Sequence, residues 1–287
     1  MDNRAATRAE RIDKIKQSRW IGYPKAQEIL KSLDALLSHP KVNRMPNMLI
    51  VGPTNNGKSE LVKRFQELHP ARDNPKGNST YAPVVVVQAP PVPDENRLYN
   101  NILTKVFCPH RPKDPAVVKE PQVLEVLNRI GVRILIIDEI HSILAGSTER
   151  QRQVLNVIRR LGNELKISIV AVGIKDAFRA IQTDPQLANR FKPALLEKWT
   201  LNNDYLRLLA SFEKLLDLEK PSRLHETSLA TRLLSMSEGT IGELSTLLND
   251  AAEFAIESGE ECITHSLLDR LRWLSPSDRK NLARMVT

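Results

Sequence analysis

The 287-residue sequence predicts an α/β domain on a parallel five-stranded sheet, followed by a smaller helical domain. Three observations predict it. Five short apolar runs, Met48–Val51, Val84–Gln88, Ile134–Ile137, Ile167–Val172 and Leu195–Leu201, are rich in β-branched residues and do not alternate. Such runs suit strands buried on both faces of a parallel sheet. Helical segments separate them and supply the crossovers that parallel pairing requires. From Asn203 onward no strand pattern survives.

Taken in order, residues 1–45 are basic and helical in pattern, with Arg4, Arg8, Arg11, Lys14, Lys16 and Arg19 at helical spacings. They suit either a solvated leader or an arm that reaches DNA or a neighbouring subunit. Within them, Tyr23–Ser38 carries the apolar stripe Ile29, Leu33, Leu36 and Leu37 behind Pro24. Residues 46–201 form the α/β core. Inside it, Pro70–Pro83 reads as a loop from its Pro, Gly, Asn and Asp content, and Cys108–Pro121 as a second loop or loose insertion. Residues 202–275 form the helical domain, read as helices Asp204–Leu218, Thr227–Met236, Ile241–Ser258 and Thr264–Leu274, with Thr227 and Thr264 as N-caps. Residues 276–287 are a basic tail, carrying Arg279, Lys280 and Arg284.

Formal charge is 42 − 34 = +8, which makes an anionic partner plausible. No apolar run approaches the ~20 residues that cross a bilayer, and Met1–Lys16 has no apolar stretch of the secretory kind. Cys108 and Cys262 sit in no metal-ligand spacing. These features predict free thiols in a cytoplasmic protein without a membrane partner.

Gly52-Pro53-Thr54-Asn55-Asn56-Gly57-Lys58-Ser59 fits the phosphate-loop pattern G-x-x-x-x-G-K-[ST], after a predicted strand and before the helix Ser59–Leu68. Glycines let the backbone turn and bare its N–H groups, and the helix start adds partial positive charge. Lys58 supplies a full charge for the β- and γ-phosphates, and the Ser59 hydroxyl can ligate Mg²⁺. The run Ile134–Ile137 then ends in Asp138-Glu139. Asp138 would hold the magnesium shell and Glu139 would orient or deprotonate the attacking water. ATP with Mg²⁺ is the predicted cofactor pair, and hydrolysis to ADP and phosphate the predicted reaction.

The chain resembles the TniB/TnsC group of AAA+ transposition regulators, and is closer to TniB. The likeness runs over nearly its whole length. It is carried by Trp20-Ile21-Gly22-Tyr23-Pro24, Arg44-Met45-Pro46-Asn47, Asn55-Asn56-Gly57-Lys58-Ser59, Asp138-Glu139-Ile140-His141, Leu144-Ala145-Gly146-Ser147 and Gly239-Thr240-Ile241-Gly242-Glu243-Leu244. The resemblance implies a sheet ordered 5-1-4-3-2 with a C-terminal helical lid. It implies an ATP-dependent protein that oligomerises, as ring or helical filament, on double-stranded DNA without sequence preference. Its partners would be a transposase and a target-selection protein of the same element, and its setting the bacterial nucleoid. Residue by residue, Ile21, Gly22 and Tyr23 match the segment near the adenine. Arg190, in Leu187-Ala188-Asn189-Arg190-Phe191, matches the finger that reaches a neighbour's γ-phosphate. Two positions depart from many relatives. Val172-Gly173-Ile174-Lys175 lacks the polar residue that senses the γ-phosphate, and Gly242 stands where a lid arginine is common. Both predict slow hydrolysis, since less charge stabilisation surrounds the phosphates.

Arg97, Lys105, Arg111, Lys113 and Lys119 are the candidate DNA contacts in the core, with the basic N-terminal residues beside them. Arg150, Arg152, Arg159 and Arg160 suit an interface, a DNA channel or a solvated face equally. Two other functions share the phosphate motifs: a helicase or replication loader, and a binding module whose nucleotide is never turned over.

Overall fold

The structure, a computed structural model, describes residues 7–17, 19–74, 80–182 and 188–286. Arg4, the middle of the 70–83 loop and Leu187 therefore lie outside the described residues. The chain divides into two compact units. One holds residues 25–54 and 58–196; the other holds the chain up to Pro24, residues 55–57, and Glu197 onward. The segment 1–45, read as one N-terminal region, is thus divided at Pro24.

In the first unit, helix α2 (Pro24–Ser38) buries Ala26, Ile29, Leu33 and Leu36. There follow β1 (Asn47–Val51), α3 (Lys58–Leu68), a small antiparallel pair β2 (Arg72–Asp73) and β3 (Thr80–Tyr81), and β4 (Val84–Gln88). Next come α4 (Glu95–Lys105), α5 (Ala116–Arg129), β5 (Ile134–Asp138), a 3-10 turn (Ile140–Ala145) and α6 (Thr148–Leu165). The unit closes with β6 (Ser168–Gly173), α7 (Asp176–Gln182) and β7 (Phe191–Leu195). The five-stranded sheet runs β7-β1-β6-β5-β4, every pair parallel. The two-residue strands β2 and β3 intervene in the chain-order labels. Counting the sheet's own strands alone, the order is 5-1-4-3-2.

Every residue of β1, β5 and β6 is buried, which is why these strands read as unbroken apolar runs. Pairing of Val51 with Gly173 and of Gln88 with Asp138 brings the C-terminal ends of four strands to one edge. Ligands of open α/β sheets sit in the crevice outside such ends. The fifth strand corrects the sequence reading. It is Phe191–Leu195 rather than Leu195–Leu201, and it carries Pro193. It is an edge strand, where proline is tolerated and polar residues face water, so its apolar signal is weak. Likewise α5 begins at Ala116, inside the segment read as a loop, and carries Pro121 in its second turn.

The second unit contains α1 (Arg8–Lys16), α8 (Asn203–Leu216), α9 (Thr227–Ser237), α10 (Ile241–Ser258), α11 (His265–Arg270) and α12 (Pro276–Val286). Its core gathers Tyr205, Leu209, Leu233, Leu247, Leu248, Ile256 and Leu267, with Ile15 added from α1. Asn202 caps α8 by accepting from the Tyr205 N–H, and Thr264 caps α11 by accepting from Leu267. Thr227 is the first residue of α9, not its cap; Glu226 precedes it without a side-chain capping bond. Between α9 and α10, Gly239 has φ +71°, and a Cβ there would lie 2.6 Å from the Trp199 carbonyl oxygen, so only glycine fits. The tail, read as a partner-binding or frayed end, is helical as α12. Its Ser277 N–H bonds the Glu238 carboxylate at 2.7 Å.

Candidate nucleotide site

Lys58 opens α3 and is only 5% exposed. Its ammonium donates to the carbonyl oxygens of Pro53 at 2.6 Å and Gly52 at 3.0 Å. Burial lowers its pKa, and the carboxylates of Glu139 and Asp138 act in the opposite sense. Next to it, the Ser59 hydroxyl donates to Asp138 Oδ2 at 2.8 Å, while Asp138 Oδ1 accepts from the Glu139 N–H, also at 2.8 Å. The loop and the end of β5, some eighty residues apart in sequence, therefore meet through the two side chains assigned to magnesium. Positive φ at Asn55 (58°) and Gly57 (79°) turns the loop sharply, as anion-cradling backbone does. Within the first unit, a lysine charge and a hydroxyl–carboxylate pair fit a polyphosphate and its cation. Ser59 and Asp138 would hold Mg²⁺, which commonly takes one or two carboxylates alongside phosphate oxygens.

The loop tip has a second set of bonds that sequence reading missed. Within the helical unit, Asn55 Nδ2 donates to Glu243 Oε1 at 2.9 Å, and the Asn55 carbonyl accepts from the Gly242 N–H at 3.0 Å. Asn56 donates to the Glu197 carbonyl at 2.9 Å and accepts from the Ile241 N–H at 3.3 Å. A Cβ at Gly242 would fall within the van der Waals radius of the Asn55 amide. The space beside Gly242 is therefore filled by the Asn55 side chain. Glu243 Oε2 in turn accepts from Arg279 of α12. Asparagine at two successive loop positions was the available signal, but the partners are 141 to 188 residues away.

Ile21 and Tyr23 pack on the core of the helical unit, Tyr23 edge-on to Trp199 with ring centroids 5.0 Å apart. Burial pushes the Tyr23 hydroxyl up to about 12. Gly22 between them is exposed. Glu139 follows β5 in a left-handed conformation, φ 57° and ψ 35°, and its Oε2 lies 3.2 Å from His141 Nε2. Arg190 stands just before β7, its Nη1 on Asn163 Oδ1 at 2.8 Å and its carbonyl accepting from the Asn47 N–H at 3.1 Å. It is thus at the N-terminal edge of the sheet, a strand length of ~15 Å from the edge that carries Gly52. From there it does not reach the loop of its own chain.

The basic candidates separate by burial. Arg97, Lys105, Arg111 and Lys113 are exposed. Lys119 is 1% exposed and donates to the Pro112 carbonyl at 2.7 Å, so its ammonium orders the chain before α5 and does not face DNA. In the N-terminal helix, Arg11 pairs with Glu261 at 2.7 Å, Lys14 with Asp217 at 3.2 Å and Lys16 with Glu253 at 2.6 Å. These charges are spent within the unit, which leaves the free-arm reading without them. On α6, Arg160 is paired with Glu120 at 2.6 Å, and Arg150 and Arg152 are exposed.

A parallel sheet in this order, a phosphate loop between β1 and α3 and an Asp-Glu pair at the end of β5 define a P-loop fold of the AAA+ kind. Solved structures agree at the level of fold. The ORC2 protein of Aeropyrum pernix, solved as ADPNP–ADP complexes, matches with a TM-score of 0.63 and 18% identity, over 90% of this chain and 70% of that one. The ORC1 protein of the same organism, in complex with DNA, gives 0.62 and 17%, over 95% and 69%. The RuvB Holliday junction branch migration motor of Thermotoga maritima gives 0.56 and 15%, over 95% and 80%. A sequence comparison with curated proteins gave no match. The family model described as "Bacterial TniB protein" matches residues 11–201, and the chain belongs to that family. Among the described residues, no helix is long and apolar enough to cross a membrane.

Proposed function

We propose that the protein is an ATP-switched regulator of DNA transposition, which assembles on double-stranded DNA and recruits a transposase. The observation that carries the nucleotide half is the meeting of Ser59 with Asp138 beside the buried Lys58. Membership of the TniB family supports the transposition half. In this reading Lys58 charges the β- and γ-phosphates, Ser59 and Asp138 hold magnesium, and Glu139 accepts the proton of the attacking water. The segment Ile21–Tyr23 lines the base. Arg190 completes a neighbour's site, which suits its distance from its own loop. Magnesium, when bound, supplies charge neutralisation across the phosphates.

DNA would be held by Arg97, Lys105, Arg111 and Lys113 through phosphate contacts alone, so its affinity falls steeply with salt. Assembly aligns many such weak contacts, and avidity supplies the affinity. A target-selection protein of the same element and a bacterial, nucleoid-associated setting complete the picture. With glycine at both position 173 and position 242, turnover is slow, as suits a switch that persists on DNA. A replication loader shares the fold, but the family match favours transposition. The test is DNA binding with and without ATP. Wild type should bind only with nucleotide, and Lys58→Ala should lose binding; wild-type DNA affinity in that variant overturns the coupling.

A further inference from the structure

β6 ends in Gly173, without the polar side chain that many relatives carry there. The neighbours explain the glycine. A Cβ at position 173 would lie 3.0 Å from the Ala177 Cβ, 3.1 Å from His141 Nδ1 and 3.3 Å from Ile140 Cγ2. The space that a strand-end side chain needs is filled by the imidazole of His141, entering from the 3-10 turn after β5.

The ring has one partner. Its Nε2 lies 3.2 Å from Glu139 Oε2, while its Nδ1 is buried without a hydrogen-bond partner. An ionised carboxylate only accepts, so the ring presents Nε2–H to it. The neutral tautomer then leaves a bare lone pair at Nδ1. Glu139 is constrained from the other side as well. Its backbone is left-handed, unusual for a residue other than glycine, asparagine or aspartate, and its N–H is tied to Asp138. Backbone and imidazole together aim the carboxylate, with one oxygen engaged and the other available to water.

The geometry points to His141 as a positioning residue for Glu139, taking over from the turn the work that a polar residue at position 173 cannot do. This rests on the proposed ATPase reading, in which Glu139 acts on water. Glycine at 173 and histidine at 141 are then one device: the first makes room for the second.

Two measurements on the full chain test it. The first uses the nucleotide-free protein with ¹⁵N-labelled histidine, the His141 signal being the one lost in His141→Gln. The ring should appear as the Nε2–H tautomer and shift on Glu139→Ala; an Nδ1–H tautomer, or a signal indifferent to Glu139, overturns the pairing. The second is steady-state turnover. His141→Ala should lower kcat about 100-fold, as expected for a misplaced catalytic group, with nucleotide affinity unchanged. His141→Gln should recover most of it, because its amide can donate from the place of Nε2. Wild-type kcat in the alanine variant, or a glutamine variant as slow as alanine, refutes the role. If the wild type itself neither binds nor hydrolyses ATP, the functional reading fails instead, and the tautomer measurement still decides the pairing.

Discussion

β5 and β6 lie side by side, parallel and equally buried, but they end in opposite ways. β5 ends in Asp138, bonded to Ser59, and is followed at once by Glu139 beside His141. β6 ends in a glycine hemmed in by Ala177, Ile140 and His141. The difference teaches that a departure from a family pattern can leave a place filled rather than empty. Gly173 reads as a missing sensor in sequence; in three dimensions its place is held by a side chain that belongs to the neighbouring strand's turn. Gly242 repeats the lesson, since the Asn55 amide fills the space where an arginine would begin.

Substitutions at these ends break or sharpen the comparison. The largest effect belongs to the carboxylate end. Glu139→Gln should lower turnover by about 10²–10⁴-fold, the usual share of a general base, while ATP affinity holds; phosphate release against equilibrium binding checks it. Next, Lys58→Ala should weaken ATP binding by roughly 10- to 100-fold, from the 1.5–3 kcal/mol typical of a charged hydrogen bond, read by fluorescent-nucleotide titration. At the glycine end, Gly173→Asn should slow turnover, although it installs the polar residue that relatives carry, because the ring must move. A faster enzyme would show that the space is free. Gly242→Arg should likewise destabilise the helical unit by about 1–3 kcal/mol, seen in chemical denaturation, and restore no activity.

The smallest effect is one of pH. Arg11 holds the Glu261 carboxyl below its ordinary range through their hydrogen bond. Glu261 then binds fewer protons folded than unfolded, so its contribution is full above the unfolded carboxyl pKa and drains away as pH falls toward the folded one. Arg11→Ala should flatten the acid limb of a melting-temperature profile and leave turnover at neutral pH alone.

Much of this was legible in the sequence. Strands buried on both faces announce themselves as apolar runs, so β1, β4, β5 and β6 were placed within a residue or so. The phosphate loop and Asp138-Glu139 are local patterns whose spacing carries their chemistry. What was not legible depends on contacts at long range or on a solvated face. β7 is an edge strand, polar outward and interrupted by Pro193, so the apolar run after it was taken in its place. Lys119 looks like surface in a basic segment, and only the fold shows its ammonium buried against the Pro112 carbonyl. The ties of Asn55 and Asn56 to Ile241, Gly242 and Glu243 join positions that no local pattern connects.

Calorimetric titration of the purified chain with ATP, with and without magnesium, reaches the centre of the account most directly. One nucleotide per chain, bound more tightly with magnesium and losing that gain in Asp138→Asn, is the predicted result. Failure to bind ATP, or an affinity indifferent to both magnesium and Asp138, contradicts it.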